Sequence, residues 1–238
     1  SLNFSPYIMN MSFNGVGLEY RGRQFHTSIF YGTFRNAIND NPDDPAPRNP
    51  QYQRVGWGFN VGYSNGRGAI DLYMLRAYDR LNTIDASWRE RIAPQENLSF
   101  GLKGSYTFKR YFSFATNLAM SAFSTDRRAD KITTDETKRF DKIFDTRYTS
   151  LARFAGDVSL NFNSQTFNTS VFYRMVQPDY LTLGTNYLAN NYHSIGVTMG
   201  TYLFRNISLS ATFSGQKDNL TNRQMYTTRG YVYSANAS

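Results

Sequence analysis

The chain of 238 residues contains no cysteine and only two histidines. The first absence excludes a disulfide framework and any thiolate metal site. It agrees with passage through an oxidising periplasm but does not by itself fix a compartment. The second leaves His26 and His193 as the whole supply of imidazole for acid–base work. No apolar run approaches the roughly 20 residues that a membrane-spanning helix needs. Mean hydropathy is −0.54, which a window scan would assign to a soluble protein. No secretory leader opens the chain, which begins Ser1-Leu2-Asn3-Phe4, so it reads as a mature product or as a segment of something longer. The net charge of +8 is scattered over turns and loops, with no basic stripe and interleaved aromatics, so no nucleic-acid partner is expected.

What the chain has instead is aromatic residues at 16% and a period of two. Val55, Trp57, Phe59, Val61 and Tyr63 alternate with Arg54, Gly56, Gly58, Asn60 and Gly62. Leu98, Phe100 and Leu102 alternate with Ser99, Gly101 and Lys103, and the same holds around Leu160, Val197, Met199, Leu209 and Phe213. Such alternation marks strands with two different environments on their faces.

Tight turns at Arg21-Gly22-Arg23, Ser64-Asn65-Gly66, Lys109-Arg110, Ser164-Gln165 and Arg205-Asn206 cut the chain at near-regular spacing. Longer polar loops lie between them, near 37–51, 79–95, 124–147, 177–191 and 219–226. Asn65-Gly66 has the residues that a type I′ hairpin turn wants at its centre. Twelve strands are predicted, at 1–9, 13–21, 23–36, 52–64, 67–78, 96–108, 110–123, 148–163, 166–176, 192–204, 206–218 and 226–238. Short turns on one side and long loops on the other are the organisation of a transmembrane barrel. The predicted fold is all-β: one antiparallel up-and-down transmembrane β-barrel over 1–238, with both chain ends on the short-turn side. A strand of about 10 residues tilted near 45° rises about 23 Å, which suits an apolar band of about 25 Å.

The second face of these strands separates barrel from sandwich. A soluble sandwich carries charged and long polar residues toward solvent; here that face is Gly, Ser, Thr and Asn. The reading therefore turns Trp57, Phe59, Phe100, Leu102, Leu160, Val197, Met199, Leu209 and Phe213 toward lipid. The same parity turns Glu19, Arg54, Asp71, Lys103, Asp157 and Arg174 toward the lumen. Those charges either filter solutes by a transverse field or pair off inside a closed barrel. A soluble β-sandwich binding module is the competing class, and it would have to hide the aromatic faces in one dry interior.

Chemistry-bearing motifs are few. Asn39-Asp40-Asn41-Pro42-Asp43-Asp44 gathers carboxylates but lacks the Gly and terminal Glu of a calcium loop, and reads as a solvated loop. The mixed charges from Asp126 to Arg139 read as a loop that is solvated or folded over the barrel mouth. Gly56, Gly58 and Gly62 lie within a strand with no helix following, so they cradle no phosphate. His26 and His193 fall on opposite rims, and no spacing rule joins His193 to Asp179 or Ser194. No catalytic residue, metal ligand or cofactor is assigned, and an outer-membrane hydrolase is the weaker alternative.

Phe30-Tyr31-Gly32 with Arg35-Asn36-Ala37, Arg54-Val55-Gly56-Trp57-Gly58, Pro94-Gln95-Glu96-Asn97-Leu98 and Gln216-Lys217-Asp218-Asn219-Leu220 look like segments of large surface proteins of the Bacteroidota. Through them the whole chain resembles outer-membrane β-barrel domains of that phylum. The resemblance implies an outer-membrane address, with short turns periplasmic and long loops extracellular. It also implies contact with outer-membrane lipid and lipopolysaccharide, and a role alone or beside other outer-membrane proteins or lipoproteins in nutrient uptake or protein export. A scaffold or accessory subunit is the leading expectation, and a porin-like channel for small solutes is the alternative. Barrels of this kind end in an aromatic residue, whereas this chain ends Ala235-Asn236-Ala237-Ser238; either the assembly signal lies elsewhere or the barrel runs on.

Overall fold

The computed structural model describes residues 4–39, 48–132, 143–203 and 207–237. Eleven strands follow in chain order: β1 (Asn14–Arg21), β2 (Phe25–Arg35), β3 (Arg54–Asn65), β4 (Gly68–Asp79), β5 (Glu96–Phe108), β6 (Phe112–Ser124), β7 (Ser150–Asn163), β8 (Phe167–Val176), β9 (Tyr192–Leu203), β10 (Ile207–Asp218) and β11 (Arg229–Ala237). Each pairs antiparallel with the next, giving one up-and-down sheet in sequence order. A single helical turn, α1 (Ala86–Arg89), interrupts the loop between β4 and β5. The sheet is open, with β1 and β11 as its two edges. No second sheet covers it among the described residues, so the sandwich interior required by the competing class is not formed.

The predicted strand over 1–9 is not observed among its described residues. Residues 5–9 form a turn, with the amides of Ile8 and Met9 donating to Ser5 O at 2.9 and 3.0 Å. Pro6 offers no amide to a ladder, and Phe4, Tyr7 and Ile8 fall at one-turn spacing instead of every second residue. The loss of this strand moves one end of the sheet: Asn14 pairs with Thr33 beside a long loop, not beside a short turn. β1 and β11 consequently run in the same direction.

The tight turn at Asn65 also differs from expectation. Asn65 pairs with Gly68, so Gly66 and Arg67 are the central residues. Asn65 Oδ1 accepts from the amides of Arg67 and Gly68, both at 2.9 Å. The asparagine closes the turn with its side chain from the position before it. No glycine holds a positive φ, whereas Lys109 does so at its own turn with φ 59°. The turn expected at Arg205-Asn206 lies outside the described residues.

The core sits on one face of the sheet. Phe4, Tyr7 and Ile8 pack there against Phe30 and Phe34 of β2, Tyr73 and Leu75 of β4, Ala119 of β6 and Ala155 of β7, with Tyr180 from the loop after β8. β2 and β7 are five strand steps apart, roughly 24 Å across a flat sheet. Yet the short turn reaches both: the Phe4 ring lies 5.4 Å from Phe30, and the Tyr7 hydroxyl bonds Asp157 on β7. The sheet is therefore bowed around this segment, and the filled face is its concave one. Glycine on that face makes the room, since a Cβ on Gly101 would collide with Ile8 Cδ1.

The opposite, convex face is apolar and largely uncovered. Leu72, Leu118, Leu160 and Phe213 are each close to half exposed. One patch is covered by the chain itself, where Phe144 joins Met74 and Leu98 in a buried cluster against which Trp57, Phe59 and Phe100 pack.

Candidate functional site

The polar residues of the concave face fall into a cross-strand row. Strand register takes it from Arg21 through His26, Gly62, Asp71, Lys103, Asn117 and Asp157 to Arg174. Four of the six charges predicted for the lumen, Asp71, Lys103, Asp157 and Arg174, therefore sit in one line across β4 to β8. Glu19 lies one inward-facing position along, level with Ser28, Asn60 and Tyr73. Arg54 is at the other end of β3, level with Asp79.

Most of these charges are already engaged. The His26 Nε2–Asp71 Oδ1 distance is 2.5 Å, and Arg21 bonds Glu19 at the same distance. Arg54 donates to Asp79 at 2.8 and 3.1 Å and to Gln95 at 2.9 Å. Arg35 adds a second cation 3.6 Å from the buried Asp79. Lys103 stands between Asp71 and Asn117 without an ion-pair partner among the described residues. Glu19 and Arg54 thus form ion pairs with Arg21 and Asp79, residues outside the predicted set, while Asp71 bonds the His26 ring and Asp157 accepts from the Tyr7 phenol. A polar cleft of about 410 Å³ remains at the tight-turn end, lined by Glu19, Arg21, His26, Asn60, Asp71 and Lys103.

The rest of the row is occupied by the chain's own N-terminal segment. Ser5 Oγ donates to Asn117 Oδ1 at 2.8 Å, and the Tyr7 hydroxyl donates to Asp157 Oδ1 at 2.6 Å. From the other side, Tyr180 donates to the Tyr7 carbonyl at 2.8 Å and Thr182 to the Ile8 carbonyl at 3.0 Å. Asn10 N donates to Gly184 O at 3.0 Å, and Met9 bridges Gly184. Thr182 continues into Asn97, Ser99 and Ser121 of β5 and β6, so the two segments and the wall share one hydrogen-bond network. Burial pushes the Tyr7 phenol well above the ordinary tyrosine range, and the Asp157 carboxylate adds to the effect. Burial alone raises Tyr180.

All nine residues predicted to face lipid lie on the convex face. Their partners across the ladder are apolar at most positions: Phe59 meets Ile29 and Met74, Leu102 meets Leu72 and Leu118, and Val197 meets Val171 and Phe213. Trp57, Phe59 and Phe100 pack against the buried cluster that Phe144 forms with Met74 and Leu98, and the place of Phe144 there has no local signal in the sequence.

Sequence reasoning missed the segment at 4–9, the stretch at 180–184 and the large residues Phe30, Phe34, Tyr73 and Leu75 that receive them. A signal was present. Ile29-Phe30-Tyr31 and Tyr73-Met74-Leu75 break the alternation, as strands do when both faces are covered.

Chemically, the concave face offers hydrogen bonds and paired charges, and no assembled nucleophile is found among the described residues. The described hydrogen-bond partner of the His26 ring is Asp71, and no hydroxyl joins it among the described residues. His193 is on the convex face at the other rim, with its ring set edge-on to Tyr173. No group of three or more His, Asp or Glu residues that could hold a metal ion is found among the described residues. The loop from Asp40 to Asp44 and the charges at Asp135, Glu136, Lys138 and Arg139 lie outside the described residues. No protein-family model matches the chain, and no curated protein matches its sequence.

Proposed function

We propose that the chain is a non-enzymatic outer-membrane β-barrel protein that serves as a scaffold or accessory subunit of an outer-membrane complex, in nutrient uptake or protein export. The observation that carries this reading is the inverted polarity of the sheet. Its uncovered face is a wall of Leu72, Leu118, Leu160, Val171 and Phe213, while its polar face is bowed inward and filled by residues 4–9 and 180–184. In water that wall would be a liability; in hydrocarbon it is the required surface. A filled interior supports a closed scaffold, because a solute path past β2–β7 would have to displace hydrogen bonds that the protein already makes. In this reading the short turns are periplasmic and the long loops extracellular.

Open sheet edges are not tolerated in hydrocarbon, so β1 and β11 must be paired in the membrane. They run in the same direction, and one further strand, antiparallel to both, would close the barrel at twelve.

The channel reading keeps one observation in its favour. On β8–β11 the concave face carries Asn168, Ser170, Thr198, Thr212, Ser214 and Ser234, and among the described residues no part of the N-terminal segment is bonded to them. Planar-bilayer recording separates the two. A closed scaffold gives no unitary current steps, and regular steps would favour the porin-like channel. Solubility without detergent at ordinary salt would overturn both.

A further inference from the structure

The convex face is apolar along most of its length, which makes one corner of it anomalous. Strand register places His193 of β9, Lys217 of β10 and Arg229 of β11 side by side, in that order, at the strand ends next to the long loops. Neighbouring strands lie about 4.8 Å apart, so three basic side chains share one short row. No acid accompanies them: among the convex positions of β8 to β11 the described residues include no Asp or Glu. Neither Lys217 nor Arg229 has a hydrogen bond or ion pair from its side chain among the described residues.

The row below differs. Ile195, Gly215 and Tyr231 are in register there, and Gly215 leaves a notch between its two large neighbours. These residues and the three bases line a cleft of about 230 Å³. Beneath it the wall continues as Val197, Phe213 and Tyr233, with the Phe213 and Tyr233 rings 5.2 Å apart.

We propose that His193, Lys217 and Arg229 bind the phosphate group of a membrane lipid whose hydrocarbon chains lie along Ile195, Phe213, Tyr231 and Tyr233. The inference rests on the barrel reading, since it needs the convex face to meet lipid. Two adjacent cations, Lys217 and Arg229, at the margin of an apolar wall repel one another and call for a counter-charge, with the His193 imidazole beside them as a further hydrogen-bonding group. Phosphate supplies it, and Arg matches phosphate with two parallel hydrogen bonds. A free anion would satisfy the bases and leave the notch and the rings bare. A lipid with a phosphorylated head satisfies both, and Tyr231 and Tyr233 suit the boundary where head and chains meet.

The test uses the whole chain and three probes: lipid A carrying its phosphates, the same lipid stripped of them, and inorganic phosphate. Binding is followed by native mass spectrometry from detergent. The phosphorylated lipid should bind about tenfold more tightly than the stripped one. Lys217→Gln with Arg229→Gln should remove that preference, whereas Arg67→Gln at the opposite rim should leave it intact. Gly215→Leu, which fills the notch, should weaken the lipid and spare inorganic phosphate. Equal binding of both lipids, or an unchanged preference in the double variant, overturns the site. Inorganic phosphate that competes as well as the lipid would show a free-anion site and overturns it too. Insertion into lipid vesicles, measured in parallel, separates the outcomes: a protein that inserts but shows no preference sinks this site alone, and one that never inserts sinks the barrel as well.

Discussion

Tyr7 donates a 2.6 Å hydrogen bond to Asp157, 150 residues further along the chain. This single contact fixes a short N-terminal turn to the seventh strand and holds a carboxylate that would otherwise face an open interior. Because the acceptor is ionised, its loss is expected to cost about 1.5–3 kcal/mol. Tyr7→Phe keeps the ring in the core and removes only the hydroxyl, so a lowered Tm in detergent measures the tether. An unchanged Tm would mean that packing of Phe4 and Ile8 alone holds the segment.

Tyr180 locks the same segment from the opposite side, and its contact is sensitive to alkali. The phenol is fully buried and donates to the Tyr7 carbonyl, and burial raises its pKa above the ordinary value. The released state ionises near about pH 10, and the buried state resists. The contact is therefore whole below about pH 10 and weakens as pH climbs toward the raised value, since only the released state gains by losing its proton. Protection of the amides of residues 8–11, taken relative to the intrinsic base-catalysed exchange rate, should fall above that pH. Tyr180→Phe should lower protection there at neutral pH and remove its further fall in alkali; a fall as steep as in the unmodified protein would place the titrating group elsewhere.

Alternation made the eleven strands and their two faces legible from residues alone, because period two follows directly from backbone geometry. The Gly, Ser and Asn face was legible as a face, but what fills it was not. Gly101 reads as a small residue on a curved wall until Ile8 is seen above it. Contacts such as Ser5 with Asn117 join residues 112 apart, and no local pattern encodes the partner of a long-range hydrogen bond. Residues 5–9 are the informative failure: Pro6 and the one-turn spacing of Phe4, Tyr7 and Ile8 are the local signals that stand against a strand there. Arg54 shows the opposite case. Its inward direction followed from parity, yet its engagement with Asp79 depended on register with β4.

The two faces make opposite predictions for a single charge. Val197 is on the convex side near the middle of β9, between Val171 and Phe213. Val197→Arg should destabilise the inserted protein by about 2–4 kcal/mol, the depth-dependent cost at a bilayer midplane. Thr198→Arg, one residue on, points to the hydroxyl-lined side and should cost much less. Leu209 lies only two residues from the start of β10, and near a strand end the penalty for arginine falls to about 0–1 kcal/mol. Urea titrations in lipid vesicles rank the three. Equal penalties at Val197 and Thr198 would mean that hydrocarbon does not meet the convex face.

The edges give the last and most demanding prediction. β1 is exposed along its whole length, with Leu18 at 77%, and β11 likewise, with Tyr233 at 73%. Each edge offers a row of backbone donors and acceptors unpaired on its outer side. Their desolvation in hydrocarbon costs several kcal/mol per group, a sum no protein could carry across two strands. In lipid vesicles the outward amides of β1 and β11 should therefore exchange as slowly as those of β5, which is paired on both sides. In detergent micelles, where water reaches the rim, the same amides should exchange faster than β5. Fast exchange at both edges within an intact bilayer would rule out closure, and with it the membrane-spanning barrel.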